Sequence, residues 1–259
     1  MHPLLFTLGP FTVYSYGALM VVAFLAATLL SIRAARRLPP ALVAIRPDQL
    51  IDFTCIALLG GILGARVFYA VLHWESFVLS LQELLAIWHG GLVWYGGFLG
   101  GVLAGWGYLL ANRIPFVRAI DQCIPFLALG HAIGRVGCFF NGCCYGRPTT
   151  AWCGVIFPGH ATAVLPIQLF EAAGLLGLYA LLRAPQRPVV LRRPGIVFGV
   201  YLGIYALLRF FLEWFRGDQV AWWAGLTLQQ LISVGVLLMA VLLLSRALLR
   251  MPRIEMNMS

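Results

Sequence analysis

The chain has 259 residues, 61% of them hydrophobic and 10% charged, with a mean hydropathy of +0.90. A soluble domain has about a quarter of its residues charged, so a soluble fold is excluded and the sequence reads as one integral membrane domain, 1–259. The net charge of +9 would suggest nucleic acid in a soluble protein. Here the basic residues fall between apolar runs, so they read as membrane topology and nucleic acid is not an expected partner.

The pattern predicts an all-α polytopic protein with seven transmembrane helices. An uncharged lead, 1–10, precedes the first span at 11–32, which is long enough for a ~30 Å apolar core. A basic, proline-containing loop follows. The second span, 49–72, carries Asp52 and Arg66. The segment 73–89 has an amphipathic middle and is expected at the interface. The third span, 90–111, is crowded with glycine. The fourth, 120–137, contains Arg135 and runs into a Gly-, Asn- and Cys-rich loop at 138–163. The fifth, sixth and seventh spans are expected at 164–182, 195–215 and 226–244. No stretch has the charged start, apolar run and cleavage site of a signal peptide ahead of a soluble domain, and no repeat argues for an inverted-repeat transporter.

Arginine sets the orientation. All 18 basic residues are Arg, and thirteen lie in the loops after spans one, three, five and seven or in the C-terminal tail. The other side has only Arg147 and Arg216. The positive-inside rule puts the thirteen in the cytoplasm, with the N-terminus outside and the C-terminus cytoplasmic, which agrees with an odd number of spans. Arg66, Arg135 and Arg209 then all fall in the outer half of the membrane. Tyr16, Tyr95, Gln168, Glu171 and Glu213 share that depth, and Asn141 sits just beyond. Asp52 and Asp121 fall near the inner ends.

A single tyrosine at such a depth is more often an interface residue than a ligand. Three arginines at one level are different, because a buried arginine costs at least ~2.5–3.5 kcal/mol on insertion scales. They call for partners: protein carboxylates, or an anion such as a lipid phosphate. Arg209 and Glu213 are four apart and share a helix face, so that pair also suits a structural role. The glycines of WHGGLVWYGG permit close helix approach and predict a partly unwound or re-entrant start to span three.

Six stretches together carry a family resemblance. GRVGCFFNGCCYG at 134–146 resembles the signature of the bacterial phosphatidylglycerol–prolipoprotein diacylglyceryl transferases, which usually reads G-R-[IV]-G-N-F-x-N-G-E-x-x-G. VYSYGALM around Tyr16, GARVFY around Arg66, WHGGLVWYGG at 88–97, LPIQLFE at 165–171 and LLRFFLEWFR at 207–216 are similar to further motifs of that family.

The resemblance implies a reaction in the bacterial inner membrane, with the active site facing the periplasm or outer leaflet. A diacylglyceryl group passes from phosphatidylglycerol to the lipobox cysteine thiol of a prolipoprotein signal peptide, and glycerol 1-phosphate leaves. It implies no metal and no organic cofactor. It implies catalytic roles for Arg135, Arg209 and Tyr95. Substrate binding falls to Tyr16, Arg66, Asn141, Gly142, Gln168, Glu171 and Glu213. Guanidinium groups suit the phosphate because they are always charged and bidentate.

The chain departs from the pattern at three places. Tyr95 stands where well-studied relatives carry His, Cys138 where they carry Asn, and Cys143 where they carry Glu. Tyrosine, with a pKa near ~10, is a poor base at neutral pH, so Tyr95 either positions substrate or acts as base beside Arg66 or Arg135. His89, at a loop edge, is not taken as its replacement. These changes keep open an alternative: an altered family member that binds or transports phospholipid. Four cysteines cluster in the outer loop, with no C-x-x-C redox motif among them. Zinc is open to them in principle. In an oxidising compartment they more often pair, which predicts one disulfide from Cys153 to Cys143 or Cys144. Cys55 and Cys123 read as packing residues.

Overall fold

The protein is described by a computed structural model, covering residues 4–8, 11–74, 91–183, 193–217 and 219–249. Among these residues lie seven long helices: α1 (Ser15–Ala35), α2 (Pro47–Leu72), α3 (Trp94–Ala111), α4 (Phe116–Asn141), α5 (Ile167–Arg183), α6 (Ile196–Glu213) and α7 (Leu228–Leu249). Each overlaps one predicted span. Five of them, α1, α2, α4, α6 and α7, are long and apolar enough to cross a membrane. The other two are α3, diluted by glycine, and α5, with 17 residues.

The architecture is not purely helical. Leu4–Leu8 (β1) and Phe11–Tyr14 (β2) pair as an antiparallel ribbon, so α1 starts at Ser15 rather than at Phe11. The Phe-Thr-Val-Tyr run is aromatic and β-branched, which favours a pleated partner over a first helical turn. A second ribbon, Ala221–Trp223 (β3) with Leu226–Thr227 (β4), leads into α7. The expected interfacial segment lies outside the described residues from position 75 on, and so does His89.

Small residues set the closest helix contacts. A Cβ on Gly64 would run into the carbonyl oxygen of Gly96 and come within 2.8 Å of Gly100 Cα, and one on Gly100 would strike the Gly60 carbonyl. The α2 and α3 backbones therefore touch along a seam that admits only glycine. On the other side of the molecule Gly130 of α4 faces Ala23 and Ala27 of α1, and Gly137 faces Tyr16. The start of α1 thus meets the end of α4.

Two apolar clusters anchor the rest. Ile32, Ile45, Leu50, Leu109 and Ile114 pack together, while Ile124, Ala128, Leu178, Leu182, Val197 and Tyr201 join α4, α5 and α6. Much of the remaining apolar surface points outward, as at Leu63, Val71 and Leu238, each more than 60% exposed. Such a surface suits lipid rather than water.

The start of α4 is held by polar side chains with complete sets of partners. The buried Asp121 carboxylate accepts the Gly195 and Phe198 backbone N–H groups, the second at 2.8 Å. These are donors in the first turn of α6 that no helical carbonyl can reach. Gln122 Oε1 accepts from Ala44 and Ile45 N–H, and its Nε2 donates to the Ile45 carbonyl at 2.8 Å. The loop between α1 and α2 is thereby fixed to α4.

Candidate active site

At its other end α4 presents His131, Arg135 and Cys138 along one helical face. It stops because Gly142 adopts a left-handed backbone (φ 73°) and returns its N–H to Phe139, a conformation glycine takes without a Cβ clash. The following loop folds back as a cap. Gly146 N–H donates to the Leu165 carbonyl, Arg147 N–H to Phe215, and Val155 and Val164 exchange a pair of hydrogen bonds. Phe157 is buried beneath Phe139 and Tyr145. The loop is therefore tied to the start of α5 and to the end of α6.

Three helices meet under this cap. Arg135 of α4 pairs with Glu171 of α5 at 3.0 Å. The same carboxylate oxygen accepts the Tyr205 hydroxyl of α6 at 3.0 Å, and His131 Nε2 lies 3.9 Å from it. One turn further along α6, Arg209 pairs with Glu213 at 3.0 Å, and Thr227 Oγ1 donates to Glu213 at 3.2 Å. His131 is within electrostatic reach of both arginines. Gln168, one turn before Glu171, donates its Nε2 to the Cys143 carbonyl at 2.5 Å and so holds the cap to α5. Tyr16 reaches the same end of α4, close enough to feel the charge of Arg135 and the three neighbouring cysteines.

The two ion pairs balance the formal charge of both arginines. They do not use all of the donors and acceptors. Arg135 Nε, Arg209 Nη1 and Gln168 Oε1 are buried without a hydrogen-bond partner. Each such group costs about 1–3 kcal/mol, and a native structure keeps them where a ligand or water completes them. Directional N–H groups, more than net charge, make this a place for an oxygen-rich anion.

The structure brings together Tyr16, Arg135, Gln168, Glu171, Arg209 and Glu213, with Asn141 and Gly142 in the turn above them. The contacts described for Arg66 lie elsewhere. Its Nη1 donates to the Gly91 carbonyl at 3.1 Å and its guanidinium lies over the Tyr69 ring. Arg66 thus holds the connector into α3, which is non-helical at 91–93, left-handed at Gly91 and extended at Val93. Tyr95 is 65% exposed, and its ring rests against Trp94.

An open apolar cleft of about 320 Å³ between α1 and α2, lined by residues including Phe24, Gly61 and Leu92, has no charged residue in its walls. Hydrocarbon suits it, and a headgroup does not.

Sequence reasoning passed over His131 and Tyr205. Each stands four residues before one of the two arginines, the spacing that puts side chains on a common face. It also expected a disulfide that is not formed, since all six cysteines are free thiols. Cys153 packs on Leu165, Ile167 and Leu212, while the Sγ atoms of Cys138, Cys143 and Cys144 lie within 4.8 Å of one another. The turn at Gly142 brings Cys138 to the other two and leaves Cys153 out.

Comparison with known proteins gives the chain its relatives. The family model for prolipoprotein diacylglyceryl transferase matches residues 3–246. The chain is 36% identical over 248 residues to a phosphatidylglycerol–prolipoprotein diacylglyceryl transferase of Geobacter sulfurreducens, covering 93% of each. It is 32% identical over 251 residues to the one of Chromohalobacter salexigens, covering 94% of this chain and 91% of that protein. It is 30% identical over 238 residues to transferase 2 of Clostridium perfringens, covering 89% and 90%. By these matches, spanning nearly its whole length, the chain belongs to the prolipoprotein diacylglyceryl transferase family.

Proposed function

We propose that the chain moves the diacylglyceryl group of phosphatidylglycerol to the lipobox cysteine of a prolipoprotein signal peptide, and that Arg135 and Arg209 hold the lipid phosphate while it does so. Family membership supports the reaction. The observation that carries the phosphate assignment is a pair of buried guanidinium nitrogens without a hydrogen-bond partner, Arg135 Nε and Arg209 Nη1, on side chains whose other nitrogens meet Glu171 and Glu213. In the transfer a thiolate attacks the glycerol carbon next to the phosphate, and negative charge gathers on the departing phosphate oxygen. Donors fixed in a dry site act most strongly on charge that develops there. Glu171 and Glu213 aim the two guanidinium planes, and Tyr205 steadies Glu171. Tyr16, Gln168, Asn141 and Gly142 border the headgroup. Arg66 and Tyr95 act on substrate from α2 and α3.

In this reading all seven helices cross the inner membrane. The N-terminus lies outside and the C-terminus in the cytoplasm, as the arginine distribution favours, and the site opens to the outer leaflet. A second reading, a phospholipid-binding or transport protein that has lost the chemistry, draws on the exposed Tyr95. Two experiments decide. The gene either sustains a cell depleted of its own transferase or fails to. The purified full chain, given phosphatidylglycerol and a lipobox peptide, either releases glycerol phosphate or does not. Arg135→Lys or Arg209→Lys at full activity would refute the phosphate assignment.

A further inference from the structure

The chain departs from the family signature at Cys138 and Cys143, and the fold carries both to a third thiol, Cys144. The three Sγ atoms lie within 4.8 Å of one another, and Cys143 Sγ reaches the Cys138 carbonyl at 3.6 Å. Cys144 is held in a left-handed backbone, φ 63°. A non-glycine residue pays of order 1–3 kcal/mol for such a conformation, and it recurs at ligand clamps. Here it accompanies the convergence of the third sulfur on the other two. All three residues are only partly buried. Tyr16 and Arg135 are within electrostatic reach of it. Three thiolates would need a cation, and the nearby one, Arg135, already answers Glu171.

We propose that Cys138, Cys143 and Cys144 form a three-thiolate site for one divalent cation of the zinc class, whose open fourth position takes the sulfur of the substrate's lipobox cysteine. This rests on the transferase reading above. A tetrahedral zinc ion with bonds of ~2.3 Å keeps its sulfurs about 3.8 Å apart, and the three Sγ atoms already lie within 4.8 Å of one another. Soft sulfur ligands select such ions. Three protein ligands with a vacant fourth position are the catalytic form of a zinc site, whereas structural sites are closed.

The chemistry meets a need that Tyr95 leaves unmet. A free thiol is mostly protonated at neutral pH, and a metal-bound thiol is deprotonated outright. On coordination the substrate thiol gives its proton to water. Its sulfur then bonds to the glycerol carbon that carries the phosphate. The carbon–oxygen bond breaks, its electron pair stays on the phosphate oxygen, and glycerol phosphate leaves. The product thioether, a weaker ligand, is released. Nothing is oxidised or reduced.

The test uses the full chain in detergent, reduced without thiols, stripped with a chelator and titrated with Co²⁺. The expected result is a near-ultraviolet thiolate-to-cobalt band that saturates at one ion per chain. A lipobox peptide with a free cysteine changes the band, and its serine analogue does not. Cys138→Ser, Cys143→Ser and Cys144→Ser each lose the band, while Cys153→Ser keeps it. No cobalt–thiolate band in reduced protein overturns the proposal, as does alkylation showing two of the three thiols joined in the protein as isolated. A band blind to the peptide removes the substrate-binding half. Transfer activity in chelated, metal-free protein leaves the transferase reading standing and sinks this one. A chain that binds both cobalt and the peptide sulfur but transfers nothing does the reverse.

Discussion

The two ends of α4 carry similar residues to opposite purposes. At one end Asp121 and Gln122 are buried and spend their polar atoms on the backbone of α6 and of the loop before α2. At the other end Gln168, Glu171 and Glu213 are buried and Arg135 and Arg209 half-buried, yet the buried atoms Arg135 Nε, Gln168 Oε1 and Arg209 Nη1 have no hydrogen-bond partner. The first arrangement is complete and needs nothing further. The second lacks the group that would complete it. In an apolar surround, unspent hydrogen-bonding capacity separates a working site from an anchor better than burial or charge does.

Substitutions at the two ends should therefore fail in different ways. The largest effect is expected for Arg135→Lys and Arg209→Lys. Each keeps a positive charge and loses the planar fork, so turnover falls about 10²-fold or more while the thermal midpoint in detergent stays close to wild type. Asp121→Ala should do the opposite. It strands the Gly195 and Phe198 N–H groups and lowers stability by about 1–3 kcal/mol, read as a lower midpoint and less protein in the membrane, with turnover per folded molecule unchanged. Gln122→Ala should show the same signature more weakly, near ~1 kcal/mol, together with faster proteolysis in the loop it holds. The smallest effect is expected for Tyr205→Phe, which removes one hydrogen bond to Glu171. A few-fold loss of turnover with an unchanged midpoint would fit its place at the working end. A stability loss there as large as that of Asp121→Ala would erase the distinction.

Much of this was legible from residues alone, for a physical reason. A charge inside an apolar run stands out against the cost of putting it there, so Arg135, Arg209, Glu171 and Glu213 were visible at once. Hydropathy gave seven spans, each matched by a long helix, five of them long and apolar enough to cross a membrane, and glycine gave the non-helical entry to α3. Other features carried no such contrast. His131 and Tyr205 are unremarkable in composition and gain meaning only from the arginines one turn away. The ribbon at Leu4–Tyr14 depends on strand pairing, which a hydropathy profile merges with the helix after it. The cysteine arrangement depends on the left-handed turn at Gly142, which residue type and compartment do not reveal, so the expected partner was Cys153 where the fold brings Cys138 to Cys143 and Cys144. Tyr95 was placed by depth, but depth does not fix direction, and α3 turns its glycine face to α2 and leaves Tyr95 outward.

The seam between α2 and α3 has a bearing on how the chain is made. Consecutive helices whose backbones touch lose almost no side-chain freedom on docking, and they ask nothing of the segments that follow. The two helices can dock without the later ones, so a released chain ending after Ala111 should already hold α2 against α3 in the membrane, read by cross-linking between the two. The later helices, arriving against a finished wall, then assemble the charged chamber last.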